Sequence, residues 1–287
     1  MRNTEHYGYL WGLLSAVTGA GMGLFVKLST EVPVTTLVFV RFALALPMIL
    51  VLLWRKKVVI SPQKIYKYSI RSLAGLGALY CYYGTLKHLP LVDAVTLRNA
   101  APLFIPVITY FAWRVVVTKR RIIALFIGFL GVIVLLQPSG DIFKFASLLG
   151  VASAFLGALA ALNIRRLSKV ESALTTLTYY FLIGTVITFF PMLIGYKGVP
   201  NKVQWIYLLA AGLSALIFQY TMTKAYTHIS ATKVGSLNYL SVALGGLYGW
   251  LFLGERYDLW IGLGVILIVS GALLALTGPG KSRHIPR

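Results

Sequence analysis

The sequence predicts an all-α membrane protein: ten transmembrane helices arranged as two inverted five-helix repeats. Its 287 residues are 58% hydrophobic and 12% charged, about half the charge content of a soluble domain. The apolar residues fall into repeated runs of about 20, enough helix to cross roughly 30 Å of hydrocarbon. The second half of the chain also echoes the first in a shifted frame. Together these features exclude an ordinary soluble globule.

Taken in order, the spans are expected at 8–28, 34–54, 69–87, 93–113, 122–137, 146–164, 173–195, 204–223, 232–253 and 259–277. The first follows a short, weakly charged start, MRNTEHY, with no small-residue cleavage site, and reads as an uncleaved first helix. Connections are short throughout. The longest, the basic and proline-containing segment 55–67, leaves no room for an extramembrane domain. Cys81 is the single cysteine, so no intrachain disulfide can form. In the tail, GKS at 280–282 resembles the end of a phosphate-binding loop. Ala275 stands where its leading glycine belongs and no helix follows, so the match is fortuitous.

The formal net charge is +20. Such an excess can signal nucleic acid, but here the basic residues sit in short loops between apolar spans, not in a groove or folded domain, and no nucleic-acid partner is expected. With both termini in the cytoplasm, 19 Lys and Arg fall on the cytoplasmic side, Arg71 and Arg165 among them, and 6 on the other. Arg41 and Arg98 lie within spans. That asymmetry is the orientation signal of a multi-pass membrane protein.

The halves are expected at 1–140 and 141–287. A shift of 140 pairs Leu76 with Leu216, Tyr80 with Tyr220, His88 with His228, Leu97 with Leu237 and Gly131 with Gly271. It also pairs Thr35, Thr36 and Leu37 with Thr175, Thr176 and Leu177. In the first and sixth spans a shift of 138 pairs Gly12, Ser15, Ala16, Gly19, Ala20 and Leu24 with Gly150, Ser153, Ala154, Gly157, Ala158 and Leu162. Five spans per half is an odd number, so the second half must insert upside down relative to the first. Inverted repeats of this kind build secondary transporters, whose solute site lies near the midplane between the repeats.

Candidate site residues are the polar groups stranded in the spans. Arg98 lies five residues past the expected start of the fourth span, roughly 8 Å deep at 1.5 Å per residue. An arginine in hydrocarbon is costly, which makes it a functional candidate. Ala94, Ala101 and Pro102 share its helical face, and its repeat mate is Asn238, on a stripe with Ser241 and Gly245. Two roles stand open: a fixed cation gripping a solute carboxylate or phosphate through its bidentate fork, or a snorkelling or structural residue paired with Asp93 or Glu255. Arg41, about 10 Å into the second span, faces the same choice.

Tyrosine offers an apolar ring with a hydrogen-bonding tip. Tyr80 and Tyr239 are therefore expected to line a cavity, while Tyr82 and Tyr83 read as interfacial belt residues. Trp11, Asn99, Asn163 and Gln219 each need a polar partner within the bundle, and all but Asn163 are taken as solute contacts. Gly19-x-x-x-Gly23 and Gly245-x-x-x-Gly249 favour close helix packing. His88 and His228 read as interfacial, and no metal-ligand spacing or cofactor motif is present.

Several stretches together resemble the drug/metabolite transporter superfamily, in its EamA-type ten-helix branch. They are the first-helix GAGMGLFVKLS, the second-helix LVFVRFALALP, then YGTLKHLPLVDAVTLRNAAPLFIPV and GFLGVIVL, and finally LFLGERYDLWIGLGVILIVSGALL. Glu255 fits the acidic position common in that family just after the ninth helix. Its first-half counterpart is Val115, beside Arg114, where the family often has glutamate. The resemblance implies an inner-membrane carrier of small metabolites or drugs working by alternating access, and leaves the substrate open. All seven acidic residues lie at or beyond span ends, whereas a proton-driven pump usually carries a carboxylate or histidine within its spans. A facilitator or exchanger is the expectation.

The function expected is secondary transport of a small amino-acid-like, amphiphilic or anionic solute. The protein would be a monomer or homodimer in the lipid bilayer, without cofactor. The alternative, an integral-membrane enzyme acting on a lipid or metabolite, would need a positioned acid/base or metal cluster, and the spans offer none.

Overall fold

The computed structural model describes residues 2–57, 65–113, 119–136, 145–167, 170–195, 198, 200–229, 234 and 237–276. Arg114, Val115, Asp141, Lys233 and the 280–282 segment lie outside the described residues. Among the described residues, eleven helices fall along the ten expected spans. They are α1 (Arg2–Leu28), α2 (Val34–Arg55), α3 (Ile65–His88), α4 (Leu91–Asn99), α5 (Ala101–Trp113), α6 (Lys119–Leu136), α7 (Phe145–Leu167), α8 (Ala173–Ile194), α9 (Lys202–His228), α10 (Leu240–Leu253) and α11 (Leu259–Leu276). The fourth span is split into α4 and α5. Among the described residues, six stretches, including Glu5–Leu28, Leu91–Ala112 and Lys202–His228, are long and apolar enough to cross a membrane. Ile122–Val134, Leu240–Leu253 and Leu259–Gly271 are shorter apolar helices.

Local chemistry sets the helix ends. Pro33 and Pro90 occupy the positions before α2 and α4, where a missing N–H does no harm. Ser172 accepts from the Thr175 amide at 3.0 Å to start α8, and Asn201 accepts from the Gln204 amide at 2.9 Å to start α9. Gly254 closes α10 with φ +64°, a left-handed turn that glycine adopts without penalty.

The packing follows a two-fold plan. α1 lies on α9 and α3 on α7, α2 on α9 and α3 on α8, α1 on α10 and the α4–α5 pair on α7. In each pairing, exchanging the two halves turns the first contact into the second. The contacts α2–α8, α4–α10 and α6–α11 map onto themselves. Every helix of the first half therefore finds its main partner in the second, which is the architecture of two interlocked inverted repeats. The α6–α11 contact is made backbone to backbone: a Cβ on Gly271 would stand 2.5 Å from the Gly128 amide nitrogen and 2.8 Å from the Ala124 carbonyl oxygen. Glycine is the residue that permits such an approach.

Candidate functional site

The fourth span breaks where its proline forbids a straight helix. Pro102 has no N–H to donate to the Arg98 carbonyl. The chain turns instead at Ala100, whose amide bonds the Leu97 carbonyl at 3.1 Å while its own carbonyl accepts from the Leu103 amide at 2.9 Å. The ninth span turns at the corresponding place, where the Tyr239 carbonyl accepts from the Val242 amide at 3.0 Å. Matching the two turns pairs Asn99 with Asn238, one residue off the sequence frame that pairs Arg98 with Asn238. In either frame the second repeat carries no cation at this level.

The two turns are bonded to each other. Asn99 Nδ2 donates to Ser241 Oγ at 3.0 Å, and the Tyr239 hydroxyl donates to the Asn99 carbonyl at 3.2 Å. Ser15 of α1 reaches Asn238 Oδ1 at 3.3 Å. Beside this junction lies a cavity of about 180 Å³. Among its described lining residues are four arginines (Arg41, Arg71, Arg98, Arg165) and no carboxylate.

Aromatic rings carry the arginines. The Arg98 guanidinium carbon lies 4.5 Å from the centre of the Tyr82 ring and 4.7 Å from that of Phe218. Arg71 sits 3.9 Å from the Tyr180 ring centre. Arg41 points Nη1 at Met22 Sδ (3.4 Å) and at the Tyr83 hydroxyl (3.5 Å). These cation–π and weak polar contacts support a guanidinium without neutralising it. Arg41 and Arg71 are each only 2% exposed, and Nε of both lacks a hydrogen-bond partner.

Of the eight site residues expected from sequence, Arg98, Arg41, Asn99, Asn238 and Gln219 line this cavity. Gln219 leaves Nε2 buried and unpartnered there. Three are not among the lining residues. Tyr239 is buried behind the cavity as the hydroxyl that ties the two turns together. Trp11 packs edge-on against Tyr220, ring centres 6.1 Å apart. Tyr80 is half-buried with its hydroxyl unpaired. Tyr82 and Tyr83, expected in an interfacial belt, are each 1% exposed and stand against Arg98 and Arg41. Arg71 and Arg165, counted with the cytoplasmic loops, also line the cavity. The signal for Arg71 was its place seven residues into α3, obscured by the basic segment just before it.

The opposite end of the bundle is closed by paired charge. Lys27 of α1 binds Glu255 at 2.9 Å and also donates to the Leu89 carbonyl. The same carboxylate accepts from the Leu91 amide at 2.8 Å, capping α4, and from the Tyr257 hydroxyl at 3.0 Å. A carboxylate at a helix N-terminus is favoured by the helix dipole. Lys87 donates to the Ser29 carbonyl alongside. Glu255 thus ties the α10–α11 turn of the second repeat to α1 and α4 of the first. It does not pair with Arg98.

An inverted-repeat helical bundle with a polar cavity at two facing helix breaks defines a multi-pass membrane transporter of small molecules. The EamA-like transporter family matches residues 6–137 and 144–277, and the chain belongs to that family. It is 28% identical over 277 residues to the pseudopaline exporter of Pseudomonas aeruginosa, covering 95% of this chain and 97% of that one. It is 27% identical over 285 residues to the riboflavin transporter of Vibrio cholerae, covering 96% and 95%. The S-adenosylmethionine uptake transporter of Rickettsia prowazekii is 22% identical over 277 residues, covering 96% and 94%. A crystal structure 20% identical shares the fold, with a TM-score of 0.67 over 93% of this chain and 96% of the other.

Proposed function

We propose that this protein is an inner-membrane secondary carrier, with both termini cytoplasmic, that moves a small anionic or amphiphilic metabolite by alternating access between repeats 1–140 and 141–287. The observation that carries this reading is the cavity beside the two broken spans, lined by Arg98, Arg41, Asn99, Asn238 and Gln219. Broken helices at the interface of inverted repeats form solute sites because they free backbone and side-chain groups from helical bonding. Arg98 holds the acidic group of the solute through its planar fork. Asn99, Asn238 and Gln219 supply neutral hydrogen bonds, and Tyr239 fixes the junction from behind. In this orientation the Lys27–Glu255 contact seals the periplasmic end and the cavity extends toward the cytoplasm, an inward-facing arrangement. The outward-facing arrangement breaks that contact, and the solute biases the balance by binding one arrangement better than the other. The names of the relatives, an exporter, a transporter and an uptake transporter, support a carrier of small molecules and leave direction open.

The test is made on proteoliposomes loaded with a cell metabolite extract, reading by mass spectrometry which compounds leave. At least one organic compound should leave faster from vesicles holding the protein, and Arg98→Ala should abolish that difference while still inserting. No protein-dependent efflux of any compound sinks the carrier reading. Equal efflux through the variant sinks the role of Arg98.

A further inference from the structure

From the charge balance of the cavity we infer that the solute carries at least two acidic groups, one held at Arg98 and a second held by Arg41 and Arg71. This rests on the carrier reading above and specifies its substrate class. Arg41 and Arg71 come from different helices, α2 and α3, yet both line the same cavity. Each is 98% buried by its 2% exposure, each keeps an unpartnered Nε, and among the described residues neither has a carboxylate in ion-pair reach. Two like charges buried together in a medium of low dielectric repel, and neither is stable without a countercharge. Structural arginines in membrane spans meet that need with an acidic neighbour. Here the acids stand elsewhere: Glu255 is taken by Lys27, Leu91 and Tyr257 at the sealed end. The countercharge must therefore arrive with the solute.

A single carboxylate at Arg98 leaves the Arg41–Arg71 pair uncompensated, so one acidic group is too few. Arg98 rests on Tyr82 and Phe218 whereas Arg71 rests on Tyr180, so the guanidinium groups have separate supports and can take separate acidic groups. Ala78, Leu79 and Val95 also line the cavity, and these apolar side chains suit a hydrocarbon backbone joining the acidic groups. Arg71 sits 3.9 Å from the Tyr180 ring centre, a contact that leaves guanidinium N–H groups for pairing with an acidic group.

The experiment measures thermal stabilisation of the full-length protein by propionate, succinate and propane-1,2,3-tricarboxylate, with the tricarboxylate's triamide as the uncharged control, all at one ionic strength. Affinity should rise roughly tenfold or more with the second carboxylate, since a charge-assisted pair contributes at least one decade in binding. Arg71→Gln should remove that rise. Equal affinity for mono- and polycarboxylates, stabilisation by none of them, or an undiminished rise in Arg71→Gln would each overturn the inference. If Arg71→Gln does not fold, the wild-type series decides alone. The proteoliposome efflux separates the two proposals. Protein-dependent efflux confined to neutral or cationic compounds keeps the carrier and discards the polyanion, whereas absence of efflux discards both.

Discussion

Two groups of buried charge sit at different levels of this bundle and are handled in opposite ways. At the sealed end, Lys27, Glu255 and the Leu91 amide form a closed set in which every charge has a partner. In the cavity, Arg41, Arg71 and Arg98 lean on Met22, Tyr180, Tyr82 and Phe218 and meet no carboxylate among the described residues. The first arrangement spends its electrostatics on holding two repeats together. The second, on the function proposed above, keeps its electrostatics for the solute. Burial alone does not tell a structural charge from a functional one; the state of its partners does.

Breaking the cavity side of this contrast should have the largest effect. Arg98→Ala removes a charge-assisted pair with the solute, a loss of about 2–3 kcal/mol, so transport should drop roughly 30- to 160-fold in vesicles while the melting temperature stays close to wild type. Next comes the sealed end. Glu255→Gln leaves Lys27 without its counterion and should destabilise the protein by about 2 kcal/mol in an unfolding titration. Adding Lys27→Met should return part of that loss, and a purely additive double variant would mean the pair is not coupled. Tyr239→Phe tests the tie between the two turns. It deletes one hydrogen bond to the Asn99 carbonyl and should cost about 1 kcal/mol of stability, with a smaller effect on solute affinity than Arg98→Ala. The smallest change is Tyr82→Leu, which fills much of the space but takes a ring away from Arg98. About 0.5–1 kcal/mol of support is lost, read as a two- to fivefold weaker solute affinity.

The spans and the inverted halves were legible because hydrophobic length and loop charge are properties of stretches, and stretches survive small errors of placement. Arg98 and Arg41 were legible as cavity candidates because a lone cation in an apolar run is costly and must find support within the bundle. The tyrosines were not. Tyr80 and Tyr82 differ by two residues, about 200° around a helix, so one faces Arg98 when the other cannot. No spacing rule says which face of α3 meets the cavity. Arg71 was hidden differently, since a cation in the first turns of a span reads as part of the basic loop before it. Only the start of α3 at Ile65 moves it inside. The break in the fourth span could have been found: Pro102 and Pro106, four residues apart, each withhold an amide from the carbonyl one turn back.

The pairing of helices across the repeats also bears on the order in which this protein can be made. A ribosome delivers the chain from its N-terminus, so the first five spans enter the bilayer before any of their principal partners exist. α1 must wait for α9, α3 for α7, and α6 for α11. During that interval Arg41, Arg71 and Arg98 have no cavity to occupy and must be shielded by the insertion machinery or by neighbouring helices in provisional positions. The half-built chain is thus the most fragile form of this protein, and assembly cannot be completed until its C-terminal helix has left the ribosome.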